Sequence, residues 1–409
     1  MNPRRDSFIA ILLPLLIGIS LIGLFVVSYR FTTHNRGEER FLVYWAGMRA
    51  WLVDGDSPYS DAAASRIQEL AVHTGDPNAR VTYPLYGGFI ILPFAAIPSY
   101  ALARALWMTA LGAALLVTAL LCLRLTGWRT SAWLMALFLL LGISSYPSLS
   151  MMISGNATIL AALFIVAALD ALRLERDTTA GAMLGMATIQ PGAVVVVLPF
   201  ILLWCISRQR WLVVTWFFGL LAVLSIIGIF FIPDWIVQWL RNLLHYSDYL
   251  APASPGAAFQ NWWPGIGRQA GLLFTLVLVV SLFGEWWAAR AREFRWFIWT
   301  AGVTLIIAQW VGVPAGVENF VTLLLPMATI VAVLEERGGK KTRWAIIMVL
   351  LIMYAGTWGL YFVARQGQLR AAMLFLPPLA LLILSYWVRL WAIRPKRLLV
   401  EELRLHGEP

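Results

Sequence analysis

Long apolar runs recur along the whole chain, and they leave few folds open. Candidate spans lie at roughly 8–29, 101–123, 131–148, 157–172, 211–233, 269–289, 296–313, 317–334, 344–364 and 371–388. An α-helix needs about 20 apolar residues to cross the hydrocarbon core of a bilayer. Lipid offers the backbone no hydrogen-bond partners, so helices and closed barrels are the structures that span it. Composition agrees: 60% of the residues are hydrophobic and 13% are charged, against about 25% charged in a soluble domain. The expectation is an all-α polytopic membrane protein, a single transmembrane domain over 1–409 with about 10–12 spanning helices. The first run is too long for a signal-peptide core and lacks a small-residue cleavage site, so it reads as a retained helix.

The net charge of +10 does not point to nucleic acid. No basic patch is interleaved with aromatics, and the charge fits arginine-rich cytoplasmic loops. Cys122 and Cys205 each end an apolar run and read as packing residues. His34, His73, His245 and His406 show no ligand spacing, so no metal site is expected.

Two further apolar stretches are ambiguous: 83–98, and 180–204, which is broken by Gln190-Pro191-Gly192. Basic residues favour the cytoplasmic side of a membrane. If both stretches return to the side they left, cytoplasmic segments hold 20 of the 31 Lys and Arg and outer segments hold 11. If both span, the division is 17 against 14. The first arrangement fits better, and it places both termini in the cytoplasm of a multi-pass protein of the cell membrane.

Two outer segments are then long enough to do chemistry, 30–82 and 234–268. In the first, Phe41, Tyr44, Trp45, Met48, Trp51 and Leu52 share one helical face, the pattern of a helix lying along the membrane interface. Residues 54–59 read as a turn, and Asp61 is placed to cap a second short helix carrying Ile67 and Leu70. In the second, Trp235, Trp239, Leu243 and Tyr246 form a similar stripe. Arg241, His245 and Asp248 share a face, either simply solvated or in contact with an anionic head group.

The order of these features resembles glycosyltransferase family 87, enzymes of the C-type membrane glycosyltransferase fold that use polyprenyl-phosphate sugars. Five stretches carry the resemblance, between Phe41 and about Pro326: "FLVYWAGMRAWLVDGDSPYS", "YPLYGGFIILPFAAIPSYALARALW", "SGNATILAALFIVAALDALR", "AGAMLGMATIQPGAVVVVLPFILLW" and "NFVTLLLPMATIV". The sequence departs from the family pattern at three places, one of them the family's double proline, which here is Pro84-Leu85. Arg40 stands where the family has its catalytic aspartate, with Glu39 and Glu38 just before it. Gln190 stands where the family has a lysine.

The resemblance implies transfer of a sugar from a polyprenyl-phosphate carrier to a hydroxyl on a cell-envelope lipid, glycan or protein. Such a reaction needs a carboxylate to take the acceptor's proton. It needs cations or N–H groups at the departing phosphate, and an apolar groove for the lipid chain. Glu39 is the candidate base and Glu38 its substitute, although a one-residue shift at a helix start turns a side chain by about 100°. Arg40 is placed either to meet the phosphate or to neutralise Glu39. Asn156 suits a sugar hydroxyl or a helix cap. Gln190 lies at a helix break that either lines a cavity or is forced by Pro191. Glu318 and Asn319 open a late helix, where an acid is also favoured by the helix dipole. A monophosphate leaving group needs less help than a nucleotide diphosphate, so arginines can take the place of a metal. No cofactor is implied, and metal dependence stays open.

Two other readings compete. A transporter or flippase would show an inverted repeat and ionisable residues in mid-span. No such repeat is visible, and Asp170 and Glu285 fall near the cytoplasmic ends of their runs. A catalytically silent relative that binds the carrier lipid or scaffolds an envelope complex is compatible with Arg40 and Gln190.

Overall fold

The structure is a computed structural model that describes residues 3–34, 40–70, 79–245, 255–290, 292–311, 317–364 and 370–393. Among them there is no strand. In chain order, α1 spans Pro3–His34, α2 Arg40–Arg49, α3 Asp61–Leu70, α4 Leu85–Ala95, α5 Tyr100–Thr126 and α6 Ala132–Ser144. Then come α7 Tyr146–Ser154, α8 Thr158–Arg173, α9 Asp177–Ala187, α10 Pro191–Val194, α11 Val197–Ser207, α12 Trp211–Phe231 and α13 Trp235–His245. They are followed by α14 Pro255–Trp262, α15 Gly267–Ala289, α16 Phe294–Ile307 and a 3₁₀ turn at Val317–Leu323. The chain ends with α17 Leu324–Gly338, α18 Arg343–Ala364, α19 Arg370–Trp387 and α20 Arg389–Ile393.

The protein is therefore an all-α membrane protein. Among the described residues, four helical stretches are long and apolar enough to cross a bilayer: Tyr100–Thr126, Trp211–Phe231, Gly267–Ala289 and Asn319–Val363. A fifth is added if α6 and α7, bent by 50° at their junction, count as one span. This is fewer than the ten to twelve expected, because several apolar runs form helices of only 10–17 residues and Asn319–Val363 takes in two of the expected spans, α17 and α18. The α6–α7 break has a local cause. Ser145 is extended (φ −62°, ψ 150°) and Pro147 follows two residues on, so the helical ladder cannot run through.

The break at Gln190 makes a hairpin of short helices. Pro191 occupies the first position of α10, where its missing N–H costs nothing. The two ends of this segment meet: Arg210 Nε donates to Asp177 Oδ1 at 2.9 Å, and Arg210 Nη1 to the Leu172 carbonyl at 2.9 Å. The chain thus leaves and returns to one end of its unit, the arrangement that the charge count favours.

The fold divides into two compact units. The first comprises residues 1–117, 149–160 and 221–249. Its α2 is buried on nearly every side, with Phe41, Leu42, Tyr44, Trp45, Ala46, Gly47 and Met48 all inside. The aromatic face read from the sequence is therefore turned mainly toward protein; only Leu52, at its end, is exposed. Periodicity identifies such a face without saying what covers it. On α3 the cap is Ser60, not Asp61: Ser60 Oγ accepts the Ala63 N–H at 3.1 Å. Asp61 instead pairs with Arg80 at 2.8 Å. Ile67 is buried and Leu70 exposed.

The second unit comprises residues 118–148, 161–220 and 250–409. Its α14 lies directly on α15: a Cβ on Gly271 would fall 2.4 Å from the Gly256 Cα. Phe259, Trp262, Phe274, Trp310 and Phe375 fill the space beside them with tilted and edge-on rings. Outward positions of α15, such as Leu272, Leu276, Val280 and Phe283, are exposed and apolar, as a lipid-facing surface requires.

Candidate functional site

The site expected from the sequence begins at the start of α2. Glu38 and Glu39 lie outside the described residues. Their neighbours Arg40 and Phe41 are described, and Phe41 fixes where the loop enters the protein. Its ring is fully buried and stacks on Tyr100 and Trp107, with centroids 5.9 and 5.8 Å away. Trp107 Nε1 donates to the Gly155 carbonyl at 2.7 Å. Gly155 has φ +71°, and a Cβ there would lie 2.5 Å from Phe41 Cβ. Only glycine suits that backbone and that gap. The start of α2, the first turns of α5 and the α7–α8 junction are thereby locked together.

Asn156 sits at this junction, fully buried. Its Oδ1 accepts the Thr158 N–H at 3.0 Å and the Thr158 hydroxyl at 2.9 Å. It caps α8, the plainer of its two sequence readings, directly after the Gly155 that packs on Phe41. Arg40 is half-buried at the same entrance.

Arg104 belongs to this cluster and was counted in the sequence only as a charge. It is 1% exposed. Its Nη2 donates to the Ile153 carbonyl at 3.2 Å, and its guanidinium lies 5.3 Å from the Phe31 ring centroid. The signal for it was present: an arginine one turn inside an apolar span is costly and marks a site or a structural pin.

The two long outer segments read from the sequence meet in the first unit. Ser57 Oγ donates to Gln238 Oε1 at 2.5 Å, and Trp239 Nε1 donates to the Thr82 carbonyl at 2.7 Å. Asn242 Nδ2 reaches the carbonyls of Val81 at 3.2 Å and Tyr59 at 3.4 Å. The inward polar residues of α13 are thus Gln238 and Asn242, while Arg241 is exposed. Tyr246 and Asp248 lie outside the described residues, as does the side chain of His245. Beneath this contact the Tyr59 hydroxyl donates to the Tyr83 carbonyl at 2.9 Å. Burial, then the neighbouring Tyr83 and Tyr86, hold the Tyr59 phenol well above the usual tyrosine value.

The remaining candidates belong to the second unit. Gln190 precedes α10, half-buried, and its side chain makes no hydrogen bond among the described residues. Asn319 lies in the 3₁₀ turn, and its Nδ2 is 3.5 Å from the Gly192 carbonyl, so the helix break and the late segment come together. The side chain of Glu318 lies outside the described residues. An apolar cavity of about 50 Å³ flanks this turn, between Gly142, Phe320, Leu324 and Leu350. That is room for a water or two, not for a lipid chain. Among the described residues, no three His, Cys, Asp or Glu side chains gather as a metal site would require.

A model of glycosyltransferase family 87 matches residues 82–295, more than half of the chain. No curated protein and no solved structure matches it. The matched range takes in the stretches 83–107, 154–173 and 180–204, hence Trp107, Gly155, Asn156 and Gln190. It leaves out 41–60 and 319–331. With its spanning helices and the junction at Gly155-Asn156 inside that range, the chain belongs to glycosyltransferase family 87 and is a membrane glycosyltransferase.

Proposed function

We propose that the protein moves a sugar from a polyprenyl-phosphate donor to a hydroxyl of a cell-envelope lipid, glycan or protein, at the outer face of the cell membrane. The family match over residues 82–295 carries this reading. The charge distribution supports cytoplasmic termini and an outer position for the 30–82 loop. Glu39, with Glu38 as substitute, takes the acceptor's proton as the hydroxyl attacks the anomeric carbon. Displacement in one step inverts that carbon. In this reading Arg40, next to the proposed base, supplies positive charge to the departing phosphate. Gly155 packs against Phe41 at the start of α2, and Asn156 beside it caps α8.

The test is an assay of membranes containing the full chain, with a panel of labelled prenyl-phosphate sugars, comparing wild type with Glu39→Gln. Loss of a general base lowers turnover by about 10²–10⁴-fold. Full activity in the variant would remove Glu39 from the mechanism. A second reading is favoured by Arg40 at the family's aspartate position and Gln190 at its lysine position: a relative that binds the carrier lipid without turning it over. Retention of labelled prenyl phosphate with no transfer to any acceptor in the wild type would select it.

A further inference from the structure

One end of the second unit gathers the loops richest in arginine, and they enclose a cleft of about 500 Å³. That volume lies within the usual range of about 300–1,000 Å³ for small-molecule sites. Leu125, Phe294, Ile298, Trp299 and Val333 give the cleft apolar walls. Arg129, Arg173, Arg295, Glu335 and Glu336 are its charged lining.

The partners of those charges decide what the cleft can hold. Trp128 Nε1 donates to Glu335 Oε2 at 2.6 Å, and Arg343 Nε donates to Glu335 Oε1 at 3.2 Å. Both oxygens of that carboxylate are engaged. Glu336 is paired with Arg295, whose Nε also donates to the Ala392 carbonyl at 2.6 Å. Two cations remain without a carboxylate. Arg173 donates only to the main-chain carbonyls of Arg124 and Leu125. Arg129 is exposed at the rim and has neither a hydrogen bond nor an ion pair among the described residues. The hydroxyls that follow it, Thr130 Oγ1 and Ser131 Oγ, are buried without partners, and α6 then starts with no side-chain cap. Positive charge is in surplus on this side of the cleft.

We propose that the cleft binds a phosphate ester, the head group of an anionic lipid, between Arg129 and Arg173. A guanidinium presents a fork of N–H donors that matches phosphate oxygens. The apolar wall opposite suits the chains that a lipid phosphate carries. The charge count assigns these loops to the cytoplasmic side, where basic pockets between helices meet anionic lipid. The site uses no residue of the transfer reaction, and binding there is independent of activity.

The experiment uses the full chain purified in a neutral detergent. Native mass spectrometry reads bound phosphatidylglycerol, and thermal unfolding reads the shift produced by phosphatidylglycerol or by inorganic phosphate. Wild type is compared with Arg129→Gln, with the Arg129→Gln/Arg173→Gln pair, and with Arg268→Gln, an exposed arginine outside the cleft, as a charge-matched control. A charge-assisted hydrogen bond contributes enough that its loss weakens binding by about tenfold or more. The expected result is therefore retained lipid in wild type and the control, roughly tenfold weaker binding in Arg129→Gln, and a further loss in the pair. Should the pair fail to fold, Arg129→Gln carries the test, because that side chain makes no bond to lose. Stabilisation by inorganic phosphate alone, with the same arginine dependence, would assign the site to a soluble phosphate and overturn the lipid. Equal lipid binding in wild type and Arg129→Gln, or an equal loss in Arg268→Gln, overturns the site itself.

Discussion

The first unit joins many of its loops through neutral donors aimed at main-chain carbonyls, with Arg80–Asp61 and Arg66–Asp54 as its ion pairs among the described residues, whereas the arginine-rich end of the second unit closes mainly with guanidinium–carboxylate pairs. Around Phe41 the donors are the indoles of Trp45, Trp107 and Trp239, the phenols of Tyr59 and Tyr83, and the amide of Asn242. In the second unit they are Arg210 on Asp177, Arg295 on Glu336, Arg343 on Glu335 and Arg389 on Glu285. Both devices satisfy buried polar groups near a membrane. They differ in what they respond to. Indole–carbonyl bonds carry no net charge and are little affected by salt, while partly exposed ion pairs are screened by it.

The largest effect is expected where ring packing and a hydrogen bond are lost together. Trp107 is fully buried, stacks on Phe41, meets Phe94 edge-on and donates to Gly155. Trp107→Ala should destabilise the chain by about 3–5 kcal/mol. Glycosyl transfer should also fall, because Phe41 loses the surface that seats the start of α2. Chemical unfolding in detergent at low and high salt measures the first. The loss should be the same at both ionic strengths; a loss that disappears in salt would break the distinction between the two regions.

A smaller, salt-dependent effect is expected in the second unit. Arg389 meets Glu285 through two bonds of 3.0 Å, with its guanidinium 5.3 Å from the Trp299 ring centroid. Glu285→Ala leaves that cation with two aromatic faces, Trp296 and Trp299, and no carboxylate. Breaking a fully buried pair costs about 3–5 kcal/mol. The Arg389 side chain is 28% exposed, so we expect about 2 kcal/mol here, shrinking as salt screens the pair. Paired unfolding curves of wild type and variant across ionic strength measure this. A cost above that of Trp107→Ala, or one insensitive to salt, would show that charge pairing is not what distinguishes the two regions.

Much of this contrast was legible in the sequence, and the part that was not has a physical reason. Counting arginines grouped 124–129, 173–176, 290–295 and 335–343 on one side, and contacts within the second unit bring those loops to one end. A count of this kind groups loops because the membrane biases basic residues in all of them at once. The Gln190-Pro191-Gly192 break was legible because proline acts locally. The roles of Gln238 and Asn242 were not, since their partners lie more than a hundred and fifty residues away in the chain. Arg241 looked the better ligand on charge alone, and it faces outward. Arg104 was hidden by its neighbours: an arginine in an apolar run reads as a boundary until a carbonyl from residue 153 is seen against it.

The smallest expected effect isolates a single neutral bond. Tyr59→Phe removes the donor to the Tyr83 carbonyl and should cost about 1 kcal/mol at neutral pH. Its value lies in the alkaline range. The phenol of an unfolded tyrosine titrates near 10.0, and burial raises that of Tyr59 well above it in the folded chain. Above pH 10 the unfolded state therefore releases this proton first, while the folded state keeps it. Fewer protons on the unfolded state means that stability falls as pH rises, and this contribution is intact below that range. Unfolding curves between pH 7 and about pH 11 should show wild-type stability declining at the alkaline end. The decline should be shallower in Tyr59→Phe but not absent, because Tyr83 is raised in the same way by its own burial. Identical slopes in the two proteins would mean that the Tyr59 phenol is reached by water when the chain is folded. The contact between the 57–59 turn and α13 would then be looser than a set of satisfied carbonyls allows.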